Sequence, residues 1–224
     1  MRKHKRKRSI LPIVLGIVLC SVTVVCMEQI VPKDADVSMG WNLILVNRKH
    51  SIPDDWEVEL TELTNGEKVD SRIYPKLQEM FNDARASGLG LFVADGYRTE
   101  SEQREILDEK IREYENDGHS RYEAKKLAKQ WVAVPGTSEH QLGISVDINA
   151  DTSISSGETV YKWLAENSYK YGFINRYPAD KTEITGTIYE PWHYRYVGEQ
   201  AAMEIYSQGL CLEEYLEQIS KYKN

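Results

Sequence analysis

The sequence predicts an α+β fold, a small central antiparallel sheet with flanking helices, preceded by one N-terminal transmembrane helix. Three observations lead there. Helical and two-residue periodicities alternate irregularly along the chain, with no internal repeat and no low-complexity tract. From Gly143 to Asn149 the alternation is strict: Ile144, Val146 and Ile148 share one face, and Ser145, Asp147 and Asn149 the other. Residues 2–8 carry Arg2, Lys3, Lys5, Arg6, Lys7 and Arg8, and an uncharged run rich in Ile, Leu and Val follows from Ser9 to Met27.

Residues 1–8 read as a basic cytoplasmic leader and 9–27 as a membrane-spanning signal anchor, since such a run can cross a hydrocarbon core of roughly 30 Å. The flanking charge keeps the basic end in the cytoplasm and exports the remainder, so the expected location is the cell membrane, single-pass, with the domain outside. No Ala precedes Ala35, so a signal-peptidase site is missing, and bulky Leu19 and Val25 stand before Cys20 and Cys26 where lipid attachment wants small residues. Residues 28–40 read as a polar tether and 41–224 as the exported domain.

Within that domain, Leu43 to Val46 is an apolar strand candidate. Leu77, Met80, Phe81 and Ala84 recur at helical spacing between Tyr74 and Ser87, and Gly88 stops the helix. Leu89 to Ala94 reads as a buried strand. Thr99 or Ser101 can cap a helix running towards Asn116, broken by Gly118, and a second helix occupies about Arg121 to Trp131. Val134-Pro135-Gly136-Thr137 is turn chemistry. Glu158 to Tyr171 is helical and ends at Gly172; Trp192 to Val197 is strand-like, and two helical stretches close the chain beyond Gly198.

Composition bounds the function. About 190 residues outside the anchor suffice for one well-buried core. Without the six basic residues of the leader, 22 Lys and Arg stand against 35 Asp and Glu, a balance of −13, which makes a poor nucleic-acid binder, and no nucleic-acid partner is expected. Only Cys211 lies outside the membrane segment, so no internal disulfide can close. Exported yet disulfide-free suits a bacterial surface. The domain is expected to act as a monomer.

Two stretches carry the chemistry: Ser138-Glu139-His140-Gln141-Leu142-Gly143-Ile144-Ser145-Val146-Asp147, and Glu190-Pro191-Trp192-His193. Two imidazoles, an aspartate and one further carboxylate are the inventory of a mononuclear zinc hydrolase, with three protein ligands, an open position and a general base. His140 lies in the loop entering the strand, where Gly143 permits a tight approach, and Asp147 faces the polar side. Seven residues apart, they would stand two turns or about 10 Å from each other on a helix, too far to share one ion. Glu190 and His193 are three apart, and Pro191 places Glu190 at the bend before the strand. His193, Arg195 and Val197 then share one face, with Tyr194 and Tyr196 on the core side. His4, His50 and His119 have no partner at ligand spacing, and Cys211 reads as a small buried residue.

Thr137 to Gly143 with Val146-Asp147, followed by Glu190-Pro191-Trp192-His193-Tyr194-Arg195 and joined by Asp95-Gly96-Tyr97-Arg98, resembles the VanY-type D-alanyl-D-alanine carboxypeptidases. The resemblance runs from about Trp41 to Gly198. It implies one zinc ion held by His140, Asp147 and His193, with Glu190 as catalytic base and Arg98 polarising the scissile carbonyl. Ser138, Ser145, Trp192 and Arg195 fall in motif positions expected to contact substrate; Ser145 stands where the family more often has Ala. The implied substrate is the peptidoglycan stem pentapeptide, losing its terminal D-Ala, with an implied role in glycopeptide (vancomycin) resistance. Two other readings stay open: an L,D-carboxypeptidase acting on tetrapeptides, and a non-catalytic wall-binding or signalling module on the same scaffold.

Overall fold

Backbone pairing begins ahead of the expected domain boundary. Strand β1 (Lys33–Asp34) runs parallel to β2 (His50–Ser51), and Ala35 is buried, so the second half of the expected 28–40 tether belongs to the folded body. The structure is a computed structural model and describes residues 31–221. The expected leader and membrane helix lie outside the described residues, among which no helix is long and apolar enough to cross a membrane.

Strands β3 (Leu60–Glu62) and β4 (Lys68–Asp70) form a short antiparallel pair. Helix α1 (Tyr74–Ala86) follows, with Pro75 in its first turn, where a missing N–H costs nothing. It buries Leu77, Met80, Phe81 and Ala84, as their spacing predicts. Strand β5 (Leu91–Asp95) leads to α2 (Glu100–Asn116) and α3 (Arg121–Ala128). Both helices start at a reciprocal cap, Thr99 with Glu102 and Ser120 with Glu123. They bury Leu107, Ile111, Ala124 and Ala128 against each other as a small separate core.

A single 3-10 turn over Glu139–Leu142 enters β6 (Ser145–Ala150), and α4 (Gly157–Asn167) comes next. The remaining elements are β7 (Phe173–Asn175), α5 (Thr182–Thr185), β8 (His193–Tyr196), α6 (Glu199–Gln208) and α7 (Leu212–Lys221). The central sheet is antiparallel throughout, in the order β5-β6-β8-β7. Its apolar face, with Val93, Val146, Ile148 and Tyr194, packs on α1 and on Val160 and Leu164 of α4. Each such side chain contributes roughly 1.5–3 kcal/mol by leaving water. The opposite face carries the polar residues of β6 and β8.

Three expectations are corrected. Leu43 to Val46 is buried at Ile44 and Val46 but is not a strand. Its Ile44 carbonyl needs no ladder partner, because Arg195 Nη2 donates to it at 2.8 Å and to the neighbouring Asn42 O at 3.2 Å. The helix expected to reach Trp131 stops at Ala128. The one expected from Glu158 to Tyr171 ends at Asn167 and continues as a 3-10 turn to Tyr171, closed by Gly172. Strands of two or three residues, such as β7, are too short to show a period.

Candidate metal centre and cleft

Strand register builds the site. Asp95 pairs with Asp147 across β5 and β6, and Asp147 pairs with His193 across β6 and β8. Directly opposed residues of antiparallel strands point to the same face. One row of the sheet therefore holds three polar side chains that are far apart in sequence. His193 Nδ1 lies 2.9 Å from Asp147 Oδ1, and His140 Nε2 lies 3.4 Å from the same oxygen. One ligand atom from each of His140, Asp147 and His193 falls within 4.8 Å of the others. Glu190 Oε2 is 4.0 Å from His193 Nδ1, and Arg98 Nη2 is 3.6 Å from Asp147 Oδ2.

Two glycines let the loops close on this row. Gly143 ends the 3-10 turn in the left-handed region at φ 75°, and its carbonyl accepts from Asp70 N at 2.8 Å. Gly96 follows β5 so closely against β4 that a Cβ would stand 2.2 Å from Lys68 O. The Gly96 carbonyl lies 2.7 Å from His140 Nδ1. With Nδ1–H donating there, the lone pair of His140 Nε2 is left for a metal. Arg98, at the end of the same turn, makes a forked ion pair to Asp95 (2.8–3.0 Å) and donates from Nη1 to Gln103 Oε1 at 3.0 Å.

The donor set fits zinc. Tetrahedral coordination with bonds of about 2.0–2.1 Å spaces ligand atoms about 3.3 Å apart, close to the His140–Asp147 separation of 3.4 Å. His193 Nε2, on the far side of the ring, is buried without a hydrogen-bond partner among the described residues and faces the Glu139 carboxylate, the side on which a ring metallated at Nδ1 carries its proton. Two imidazoles and a carboxylate suit zinc among the common divalent ions.

The charges are strongly coupled. Burial pushes the Asp147 carboxyl up, but His140 and His193 outweigh it and hold it well below the usual range. Burial pushes His193 down, yet its hydrogen bond to Asp147 and the negative charge of the neighbouring Glu139 carboxylate carry it up to about 9. A metal binds neutral imidazole, so occupation of this centre releases a proton. Burial lifts the Glu190 carboxyl to about 7; His193 opposes the shift and Asp147 adds to it.

A cavity of about 200 Å³ opens over the centre, with Arg98, Glu190, Ser138 and Trp192 in its wall. Two residues expected to contact substrate lie away from the cavity wall. Ser145 and Arg195 lie on the metal-facing side of their strands, but both are completely buried and neither lines the cavity. The Glu139–Leu142 turn and the 42–44 segment cover them: Ser145 Oγ donates to Glu139 Oε2 at 3.2 Å, and Arg195 bonds the carbonyls of Asn42 and Ile44. Sequence reasoning missed Gln103 and Tyr177, which line the cavity, and Glu139 and Arg176 behind it. Gln103 sits one turn into α2 among charged neighbours and reads as solvated; nothing local marks Arg176. His50 and His119 lie elsewhere, against Asn47 and Tyr114, and Cys211 is buried.

The model of the family "VanY: D-alanyl-D-alanine carboxypeptidase" matches residues 66–199. A D-alanyl-D-alanine carboxypeptidase of Enterococcus faecalis is 62% identical over 184 residues, spanning 82% of this chain and 69% of that protein. Two solved structures, each 62% identical, superpose with a TM-score of 0.78. One is a variant of the vancomycin-resistance D,D-pentapeptidase VanY from a VanB-type cassette, in complex with Zn(II), covering 79% of this chain and 99% of that one. The other is VanYB in complex with D-alanine-D-alanine, covering 79% and 98%. With fold, site and sequence in agreement, the chain belongs to the VanY family of D-alanyl-D-alanine carboxypeptidases.

Proposed function

We propose that this chain is a zinc-dependent D,D-carboxypeptidase that removes the C-terminal D-Ala from peptidoglycan stem pentapeptides. The observation that carries the reading is the convergence of His140 Nε2, Asp147 Oδ1 and His193 Nδ1 beside a buried carboxylate, Glu190, inside a cleft. The relatives that bind Zn(II) and D-alanine-D-alanine support it. When bound, zinc supplies Lewis acidity and lowers the pKa of water.

Glu190 is held at the bend by its own backbone, whose N–H donates to Tyr177 O at 3.2 Å and whose carbonyl accepts from Asn175 Nδ2 at 2.8 Å. Its carboxylate takes a proton from the attacking water and hands it to the leaving amine. The Arg98 guanidinium, locked by Asp95 and Gln103, offers fixed positive charge to the carbonyl oxygen as negative charge develops there. Ser138 and Trp192 border the space left for the peptide. In a cell exposed to vancomycin, such trimming removes the terminus that the drug binds. Residues 9–27 anchor the chain with this domain outside the membrane, a reading supported by the uncharged run behind a basic leader; resistance of the full chain to alkaline extraction tests it.

The deciding experiment incubates the protein, zinc-loaded or chelated, with pentapeptide and tetrapeptide stems and weighs the products. Chelator-sensitive loss of one D-Ala from the pentapeptide is expected. Cleavage of the tetrapeptide alone would replace this reading with L,D-carboxypeptidase action, and no cleavage with zinc bound would make the domain a binding module.

A further inference from the structure

Behind His193 lies a buried ion cluster that the hydrolytic chemistry leaves unused. Glu139 Oε2 stands 3.7 Å from His193 Nε2, a nitrogen with no hydrogen-bond partner among the described residues. Its other oxygen, Oε1, accepts from Arg176 Nε at 2.8 Å and lies 2.9 Å from Arg195 Nη1, an ion pair without the alignment of a hydrogen bond. Arg176 is wholly buried and donates from Nη1 and Nη2 to the Glu213 carboxylate of α7, at 2.9 and 2.7 Å. Two carboxylates and two guanidiniums thus balance, and removing any one would leave a buried charge unpaired. Glu139 is absent from the cleft wall, so it reaches the centre only through the imidazole.

We propose that Glu139 is a positioning residue for the metal centre: with zinc bound it takes the Nε2–H of His193, fixing the tautomer that presents Nδ1 to the metal, and it is itself held by Arg176 and Glu213, which tie the centre to the C-terminal helix. A carboxylate behind a metal-bound imidazole restricts ring rotation and raises the basicity of the ligand nitrogen. The Arg176 fork spans the body of the domain and α7, so the docking of α7 sets where the Glu139 carboxylate stands. The inference rests on zinc binding at His193, as in the proposed function, and is independent of the substrate.

The test compares the full chain with E139Q, E213Q and Y215F by competition for Zn2+ against a chromophoric chelator, with thermal unfolding of each zinc-free form alongside. Tyr215→Phe is the control: it removes the bond from Tyr215 Oη to Glu204 that also packs α7, and leaves Arg176 untouched. Zinc affinity is expected to fall about 10- to 100-fold in E139Q. In E213Q it falls by less but measurably, and in Y215F it is unchanged at a similar loss of Tm. Unaltered affinity in E139Q, or equal weakening in E213Q and Y215F, would overturn the proposal. The zinc-loaded wild-type chain gives a second readout that needs no variant to fold. Long-range proton–nitrogen spectra should show His193 metallated at Nδ1 and protonated at Nε2, and metal on Nε2 would sink the idea. Because affinity is the readout, a chain that binds zinc through this relay but cleaves no stem peptide refutes the proposed substrate and supports the relay.

Discussion

Replacing Gly96 by alanine would drive a methyl group into a backbone carbonyl. The new Cβ would stand 2.2 Å from Lys68 O where real contacts stop at about 3.0 Å, so the 95–98 turn or β4 must give by about 0.8 Å. The obstacle cannot swing aside, because Lys68 O belongs to the β3–β4 pair and already accepts from Tyr97 N at 2.6 Å. Overpacking of this kind costs about 1–3 kcal/mol. The same displacement reaches His140, bonded to the Gly96 carbonyl, and Arg98, two residues on. A misplacement of about 1 Å near reacting groups costs on the order of 10²-fold in rate. G96A is therefore expected to fold, to unfold at lower urea, and to lose about 100-fold in kcat/KM on a pentapeptide stem, read by mass. Gly157→Ala is the control, since its Cβ would meet Tyr161 at an ordinary 3.5 Å. Kinetics of G96A within threefold of wild type would refute the reasoning, by showing that the turn absorbs a methyl without moving the ligands.

Three further outcomes are expected. Glu190→Gln should bind zinc as the wild type does yet lose about 10²- to 10⁴-fold in kcat, because the isostere keeps shape and loses the proton acceptor; wild-type turnover in that variant would remove Glu190 from the mechanism. In zinc-stripped protein the Glu190 carboxyl, lifted by burial, should titrate near 7 by carbon-13 NMR. Only the ionised form is a base and a bound dication draws its pKa down, so the acidic limb of kcat/KM lies at or below that pH; a midpoint under 5 in the stripped protein would contradict the burial argument. Burial raises the Glu213 carboxyl, but Arg176 outweighs it and leaves a folded-state pKa below the usual value. Its contribution to stability is present above the unfolded pKa of about 4.3 and is lost as pH falls through the folded value. Urea melts of zinc-free protein should show wild type losing more stability than E213Q between pH 6 and pH 3, and parallel losses would count against it.

Much of the site was readable before folding because residue type and local period carry it. The alternation of Ile144, Val146 and Ile148 with Ser145, Asp147 and Asn149 placed Asp147 on a polar face, and the structure keeps it there. Pro191 put Glu190 at the bend, and Thr99 and Ser101 bracketed the start of α2, which the structure caps with Thr99. Such signals act between neighbours in the chain, where geometry follows from composition. Period also set Tyr194 on the core side of β8, where it is almost fully buried.

What period cannot say is what lies over a face. Ser145 and Arg195 share the side of Asp147 and His193, yet only the packing of the Glu139–Leu142 turn and residues 42–44 seals them from the cleft. Arg176 stands 37 positions from both Glu139 and Glu213, and along the chain each reads as a solvated charge. An ion can leave water only when its partners are already in place, so a buried charge cluster is a property of the assembled fold. The same holds for the row Asp95, Asp147 and His193. Sequence alone chose the chemical groups and the faces that bear them, whereas strand register and loop packing, which depend on contacts remote in the chain, decided which groups meet and which of them water can reach.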